Sequence, residues 1–460
     1  MAKPGQNSGI PRTACDRCYE LKVRCDRGST KTACYRCRRL SFACSTVRPV
    51  RPCGRRPLRR TPPVPSNNNN PSKESSIGAW LENVPSLLPE ERELLLFLLG
   101  RPENIDCYVV CPRFRVAAQK SLEAQLLKSF PVVKDAYLAC ASTLKQLDRV
   151  LPGDNDDSVR RASSAMVQLR SLPIANSQDA ARCLTLGAAL ALSVYSTIGL
   201  GVADICHYCL TATSPFVDKK EASDDDANSW HGVLVLLEIM DCLVYRRKPT
   251  PRIQLRDMEH VDRQLGISSP ILRYYYDLCV ISHSLASMTD ASGLAPLHKR
   301  LDEIRGSVEA WIPSHESLRS DQFESAEIII LLAQAKAYRL GALLVGHRLR
   351  YTFGEHDEQA DIWSKEIIIE LEMARRVTTR PIRYVTLPFL VAALEIRDHG
   401  ARKTALEGTA YFVDHFALVV QEAAKAFLCR IWHERDSQIL SSWFDSVCKP
   451  CPILQSLDIT

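Results

Sequence analysis

The residues with the clearest chemical potential are six cysteines near the N-terminus. "CDRCYELKVRC" holds Cys15, Cys18 and Cys25, and "CYRCRRLSFAC" holds Cys34, Cys37 and Cys44, each half reading C-x2-C-x6-C. Thiolates at such short spacing suit zinc, which takes soft ligands in a tetrahedron. One zinc ion would strand two of the six. Two ions need eight ligand positions, and six sulfurs fill eight if two of them bridge. The repeat makes Cys15 and Cys34 equivalent, so they are the natural bridges. Two unrelated thiol clusters, or an iron–sulfur site, are the competing readings. The identical spacing of the halves weighs against both. A segment of about 36 residues cannot build a useful core, so metal must supply its folding energy, on the order of 10 kcal/mol.

The surroundings of this module fit a polyanion partner. Residues 1–60 carry sixteen Lys and Arg against three Asp and Glu, whereas the other 400 residues carry 43 against 50. A basic head on an acidic body points to nucleic acid for the head alone. Residues 12–48 form the cysteine module. Residues 49–76, "PVRPCGRRPLRRTPPVPSNNNNPSKESS" from Pro49, read as a flexible basic linker rich in Pro, Arg, Asn and Ser. Arg48, Arg51, Arg55, Arg56, Arg59 and Arg60 make a basic arm for phosphate contact, nuclear import or both. Cys53 falls outside the repeat and reads as a free thiol.

Residues 77–460 read as an all-helical domain, so the fold class is mainly α. With 460 residues, 46% hydrophobic and 24% charged, the chain can bury a large core. Helices are expected from Pro89 to Gly100, through the apolar steps of 133–151 and 159–172, and from a cap at Ser177. Further helices are expected at 229–246, 270–289, 297–311, 322–351, 359–377 and 404–433. Cys183–Ala203 holds no charge over 21 residues. Its glycines and hydroxyls favour a buried core helix followed by a turn over a membrane span. The N-terminus shows no apolar secretory segment, which suits a reducing compartment where clustered cysteines bind metal.

Other candidate chemistry is thin. Cys206 and Cys209 read as core residues on an apolar helix, and Cys448 and Cys451 as an isolated pair. "DDDAN" at 224–228 reads as a solvated loop. No phosphate-binding loop, nucleophile elbow or dinucleotide fingerprint is present. The chain is therefore read as no enzyme.

Cys15–Cys44 resembles the DNA-binding domain of fungal binuclear zinc-cluster transcription factors, whose pattern is C-x2-C-x6-C, a loop, then C-x2-C-x6-to-8-C. The resemblance implies two Zn2+ ions per chain and a first helix entering the major groove at a CGG-type triplet. It places the family's base-reading lysine on Lys22, which is read as lying on a helix turn with its ammonium directed away from the metal. Lysine can donate to guanine O6 and N7. Arg17, Arg24, Arg27, Arg36, Arg38 and Arg39 are read as phosphate contacts or as neutralisers of the cluster. The chain departs from the family in having Tyr19, Glu20 and Leu21 where basic residues are usual, and in lacking a proline before Cys34. "KVRC" followed by "ACYRC" is similar to regulators of fungal secondary-metabolite gene clusters. The segment "CLTLGAALALSVYSTIGLGVADICHYCL" is similar to part of their helical body.

The expectation is a nuclear, sequence-specific regulator of RNA polymerase II transcription. Double-stranded DNA and the transcription machinery or co-regulators would be its partners. Binding as a monomer and as a homodimer are both open. A zinc-cluster protein acting on protein or RNA, and a helical enzyme fused to a zinc module, are the rivals.

Overall fold

The computed structural model describes residues 14–26, 32–46, 76–147, 156–199, 201–217, 225–250, 261–288, 293–313, 318, 323–438 and 443–446. The chain divides into two units, Met1–Pro71 and Ser72–Thr460. Among the described residues the fold is mainly helical. An isolated bridge between Asp262 and Gly266 is the extended pairing there, and no strand forms.

The first unit holds α1 (Asp16–Glu20) and α2 (Tyr35–Arg39). Helices of five residues cannot stand alone in water. What they enclose is sulfur: Cys15, Cys18, Cys34 and Cys37 are buried, with Val23, Cys25 and Cys44 packed against them.

The second unit opens with α3 (Ser76–Glu82) and α4 (Pro89–Gly100). Pro89 starts α4, and the Glu91 carboxylate accepts the Leu88 N–H at 3.1 Å, closing its first turn. Next come α5 (Arg115–Ser129), α6 (Lys134–Leu147), α7 (Asp156–Ser171) and α8 (Ser177–Thr197). The cap of α8 is Asn176, one residue before the expected Ser177; its Oδ1 accepts the Asp179 N–H at 2.9 Å. The uncharged span is α8 followed by a turn with Gly199 and Gly201 at φ 72° and 77°, and then α9 (Val202–Val217). Inside α8, Thr185, Ser196 and Thr197 each return a hydroxyl to a carbonyl four residues back. That self-satisfaction pairs these hydroxyls inside the core.

The remaining helices are α10 (Asp225–Tyr245), α11 (Leu272–Ser287), α12 (Leu294–Ala310), α13 (Ser325–Arg350) and α14 (Asp357–Thr378). They are followed by α15 (Thr386–Leu394), α16 (His399–Phe412), α17 (Leu418–Asp436) and α18 (Trp443–Ser446). Both α8 and α13 are long and apolar enough to cross a membrane, and both are mostly buried within this unit.

Two expectations are corrected. Asp225–Asn228 open α10 instead of forming a loop, since aspartates are favoured in a first helical turn. The helix expected over 404–433 is two, α16 and α17. Asp414 lies in the break, accepting hydrogen bonds from the Tyr195 hydroxyl at 3.1 Å and the Thr386 hydroxyl at 2.9 Å, while Phe416 is buried beside it. Apolar periodicity runs on through 413–417 and hides the turn. Helix α15 has no polar face at all, so it offers no period to read.

Candidate metal centre

The two halves of the module are built alike, residue for residue. Cys15 is the N-cap of α1 and Cys34 the N-cap of α2, both in extended backbone. Cys18 and Cys37 follow one turn in, so each C-x2-C pair turns two sulfurs to one side of a helix start. Both helices stop in the same way. Lys22 N–H donates to Tyr19 O and Val23 N–H to Cys18 O; Ser41 N–H donates to Arg38 O and Phe42 N–H to Cys37 O. These are matching Schellman closures, with Lys22 (φ 51°) and Ser41 (φ 53°) in the left-handed position usually given to glycine. The chain then returns its third cysteine. Cys15 N–H donates to Cys25 Sγ at 3.3 Å, and Cys34 N–H to Cys44 Sγ at 3.4 Å.

The halves also cap each other. Asp16 N–H donates to Ser45 O at 2.9 Å and Tyr35 N–H to Asp26 O at 3.0 Å, joining the residue after each N-cap cysteine to the residue after the other half's third cysteine. The Ser45 hydroxyl donates to Asp16 Oδ2 at 2.9 Å, and the Arg17 guanidinium stacks 3.5 Å from the centre of the Phe42 ring. None of Asp16, Asp26, Phe42 and Ser45 was singled out as a site residue. The signal available was the repeat itself, which pairs the positions following equivalent cysteines.

The sulfurs of Cys15, Cys18, Cys34 and Cys37 all lie within 4.8 Å of one another. Cys15–Cys34, Cys15–Cys37 and Cys18–Cys34 are each 3.8 Å apart. A zinc–sulfur bond of about 2.3 Å implies a tetrahedral edge of about 3.8 Å, whereas a disulfide would need about 2.05 Å. The donor set therefore fits zinc. Its titration divides the cysteines along the repeat. Hydrogen bonding from the Cys37 N–H pulls the Cys34 thiol down to about 6. Burial acts to raise Cys15, but hydrogen bonds from Cys18 and from the Cys37 and Cys44 sulfurs leave it lowered. Burial pushes Cys37 up to about 12 and raises Cys18 and Cys25. The equivalent pair, Cys15 and Cys34, thus has both thiols lowered, and each lies 3.8 Å from two sulfurs of the other half.

Arg17, Arg24, Arg36, Arg38 and Arg39 are exposed around this centre. Lys22 is exposed too, but it lies two residues past the end of α1, not on the helix. The Schellman closure needs a left-handed residue there, and helical backbone ends before it. Arg27, Arg48, Arg51, Cys53, Arg55, Arg56, Arg59 and Arg60 lie outside the described residues, as do Cys448 and Cys451. Cys206 and Cys209 are fully buried core residues on α9.

Compared with family profiles, curated proteins and solved structures, the chain finds no match.

Proposed function

We propose that this chain is a nuclear, sequence-specific DNA-binding regulator of transcription whose N-terminal module folds round two zinc ions. Cys15 and Cys34 bridge the ions. Cys18 and Cys25 complete one tetrahedron, Cys37 and Cys44 the other. The observation that carries this reading is the duplicated sulfur arrangement, in which each N-cap cysteine approaches two sulfurs of the other half at a tetrahedral edge. Two Zn2+ and six thiolates sum to a charge of −2, which the ring of exposed arginines offsets. The same arginines, with the 48–60 arm, bind phosphates, and Lys22 reads a CGG-like half-site in the major groove. The acidic helical body then serves regulation, meeting co-regulators or the transcription machinery. The resemblance to secondary-metabolite regulators supports biosynthetic genes as targets.

One observation favours a second reading. Tyr19, Leu21, Tyr35, Leu40 and Phe42 all expose 40% or more of their surface on this small module, as a protein-binding face would. Duplex selection from a random library separates the two, yielding a common triplet if the module reads DNA and none if it binds protein. Metal analysis of the full-length chain should give two zinc ions per molecule, and chelation should abolish selection. Arg→Ala changes in the 48–60 arm should weaken binding to every duplex and flatten its salt dependence. A single ion, or affinity blind to base order, defeats the proposal.

A further inference from the structure

The two halves of the cysteine module match in backbone and differ in one side-chain contact. Arg17 follows Cys15 by two residues, and Phe42 precedes Cys44 by two. The central carbon of the Arg17 guanidinium lies 3.5 Å from the centre of the Phe42 ring. At that separation two flat groups meet face to face, with no room for an edge between them. By the repeat, the equivalent residues are Arg36 and Val23. Val23 is aliphatic and packs against the sulfur cluster, so that pair cannot stack in this way. The Arg17–Phe42 contact therefore gives direction to a module that is otherwise duplicated.

Both partners start from anchored backbone. Asp16 N–H, one residue before Arg17, donates to Ser45 O at 2.9 Å, and Phe42 N–H donates to Cys37 O at 2.9 Å. A long arginine side chain ordinarily loses its rotamer freedom when a ligand fixes it. Here a ring from the other half has already removed much of that freedom. Stacking uses the face of the guanidinium and leaves its in-plane N–H edge to donate. Arg17 is exposed, and its guanidinium donates to no acceptor among the described residues. A planar N–H fork held in one direction matches two oxygens of a phosphate.

We propose that Arg17, held flat on Phe42, is a preset phosphate clamp that fixes the first half of the module on the duplex backbone. Phe42 is then a positioning residue, which acts on DNA through Arg17. This role rests on the DNA-binding reading and adds to it a residue that carries no charge. A phosphate contact is independent of base sequence, so the clamp stands or falls separately from the reading of a triplet by Lys22.

Titration of the full-length protein with a fluorescent duplex of mixed sequence, over a range of salt concentrations, tests it. Zinc is kept in excess, so that metal loss does not enter. Arg17→Ala should weaken binding about tenfold and reduce the slope of log affinity against log salt by about one, the mark of one lost phosphate contact. Phe42→Leu should weaken binding about two- to fivefold, as for loss of an exposed cation–π stack, and leave the slope unchanged because the charge remains. Phe42→Tyr keeps the ring and should bind like the wild type. Arg17→Ala combined with Phe42→Leu should bind no worse than Arg17→Ala alone, since Phe42 acts through Arg17. A wild type that binds no duplex ends the DNA reading and the clamp with it. A wild type that binds, with Phe42→Leu equal to it or with the two losses simply adding, overturns the clamp alone.

Discussion

Lys22 combines two demands in one residue. Its backbone occupies the left-handed region that closes α1, and its ammonium is the group assigned to reading bases. A non-glycine residue in that conformation costs on the order of 1 kcal/mol. The two demands can be pulled apart. Lys22→Ala and Lys22→Gly both remove the ammonium, so both should weaken cognate binding by about 1–3 kcal/mol and leave most nonspecific affinity intact. They should differ in stability. Glycine relieves the backbone and alanine does not, so the glycine variant should hold its zinc to a higher chelator concentration. Ser41 is the matched control, because it occupies the equivalent turn of the other half with no base-reading role assigned. Ser41→Gly should strengthen metal retention and leave sequence preference unchanged. Gel shifts on cognate and scrambled duplexes, with a chelator titration, measure all three. Equal losses on the two duplexes for Lys22→Ala would remove its reading role.

At the scale of helices, contact geometry outweighs intrinsic preference. Gly187 sits in the middle of α8, where alanine would be favoured by about 1 kcal/mol on propensity alone. Yet a Cβ there would collide with the Cys209 sulfur of α9 and lie 3.3 Å from its Cβ. Gly187→Ala should therefore lower stability by about 1–3 kcal/mol in denaturant titrations. Cys209→Ala should reclaim part of that loss, so the double variant is more stable than the sum of the singles. A helix with a clear polar face, such as α7, was legible as apolar residues recurring at three and four. The six cysteines of the N-terminal cluster were legible from spacing alone. The break at Asp414 was not, because a buried hydrogen-bonded carboxylate leaves no mark on periodicity. Nor was the left-handed backbone at Lys22, which nothing in "ELKVRC" announces without a glycine to mark it.

Taken whole, the molecule separates a sulfur-centred basic unit from a hydrocarbon-centred acidic one, and the acidic unit has its own response to pH. Two histidines, His231 and His347, are buried in it. His231 is fully enclosed, its Nε2 has no hydrogen-bond partner, and burial brings it down to about 4. His347 comes down to about 4 through burial and the adjacent Arg348, although its ring pairs with the His356 carbonyl at 3.1 Å. An unfolded histidine takes its proton near 6.5, so between 6.5 and about 4 the unfolded chain binds protons the folded chain refuses. These groups contribute stability that is fully present above 6.5 and lost as pH falls toward 4. Four carboxyls that are raised above their ordinary range oppose them, Glu123, Asp241, Asp262 and Asp414. Burial pushes Asp262 up to about 6, against hydrogen bonds from the Leu265 and Gln264 N–H groups, and burial also raises Asp414. Those carboxyls bind protons in the folded state first, so their contribution grows as pH falls. The two sets act in opposite directions, so single variants separate them. The urea midpoint, followed by helical circular dichroism from pH 6.5 to about 4, is the readout. Relative to the wild type, His231→Gln should hold more of its midpoint at the acid end, because one refused proton is removed. Asp262→Asn should hold less, because one accepted proton is removed. Profiles of both variants parallel to the wild type would mean that neither group changes its proton affinity on folding.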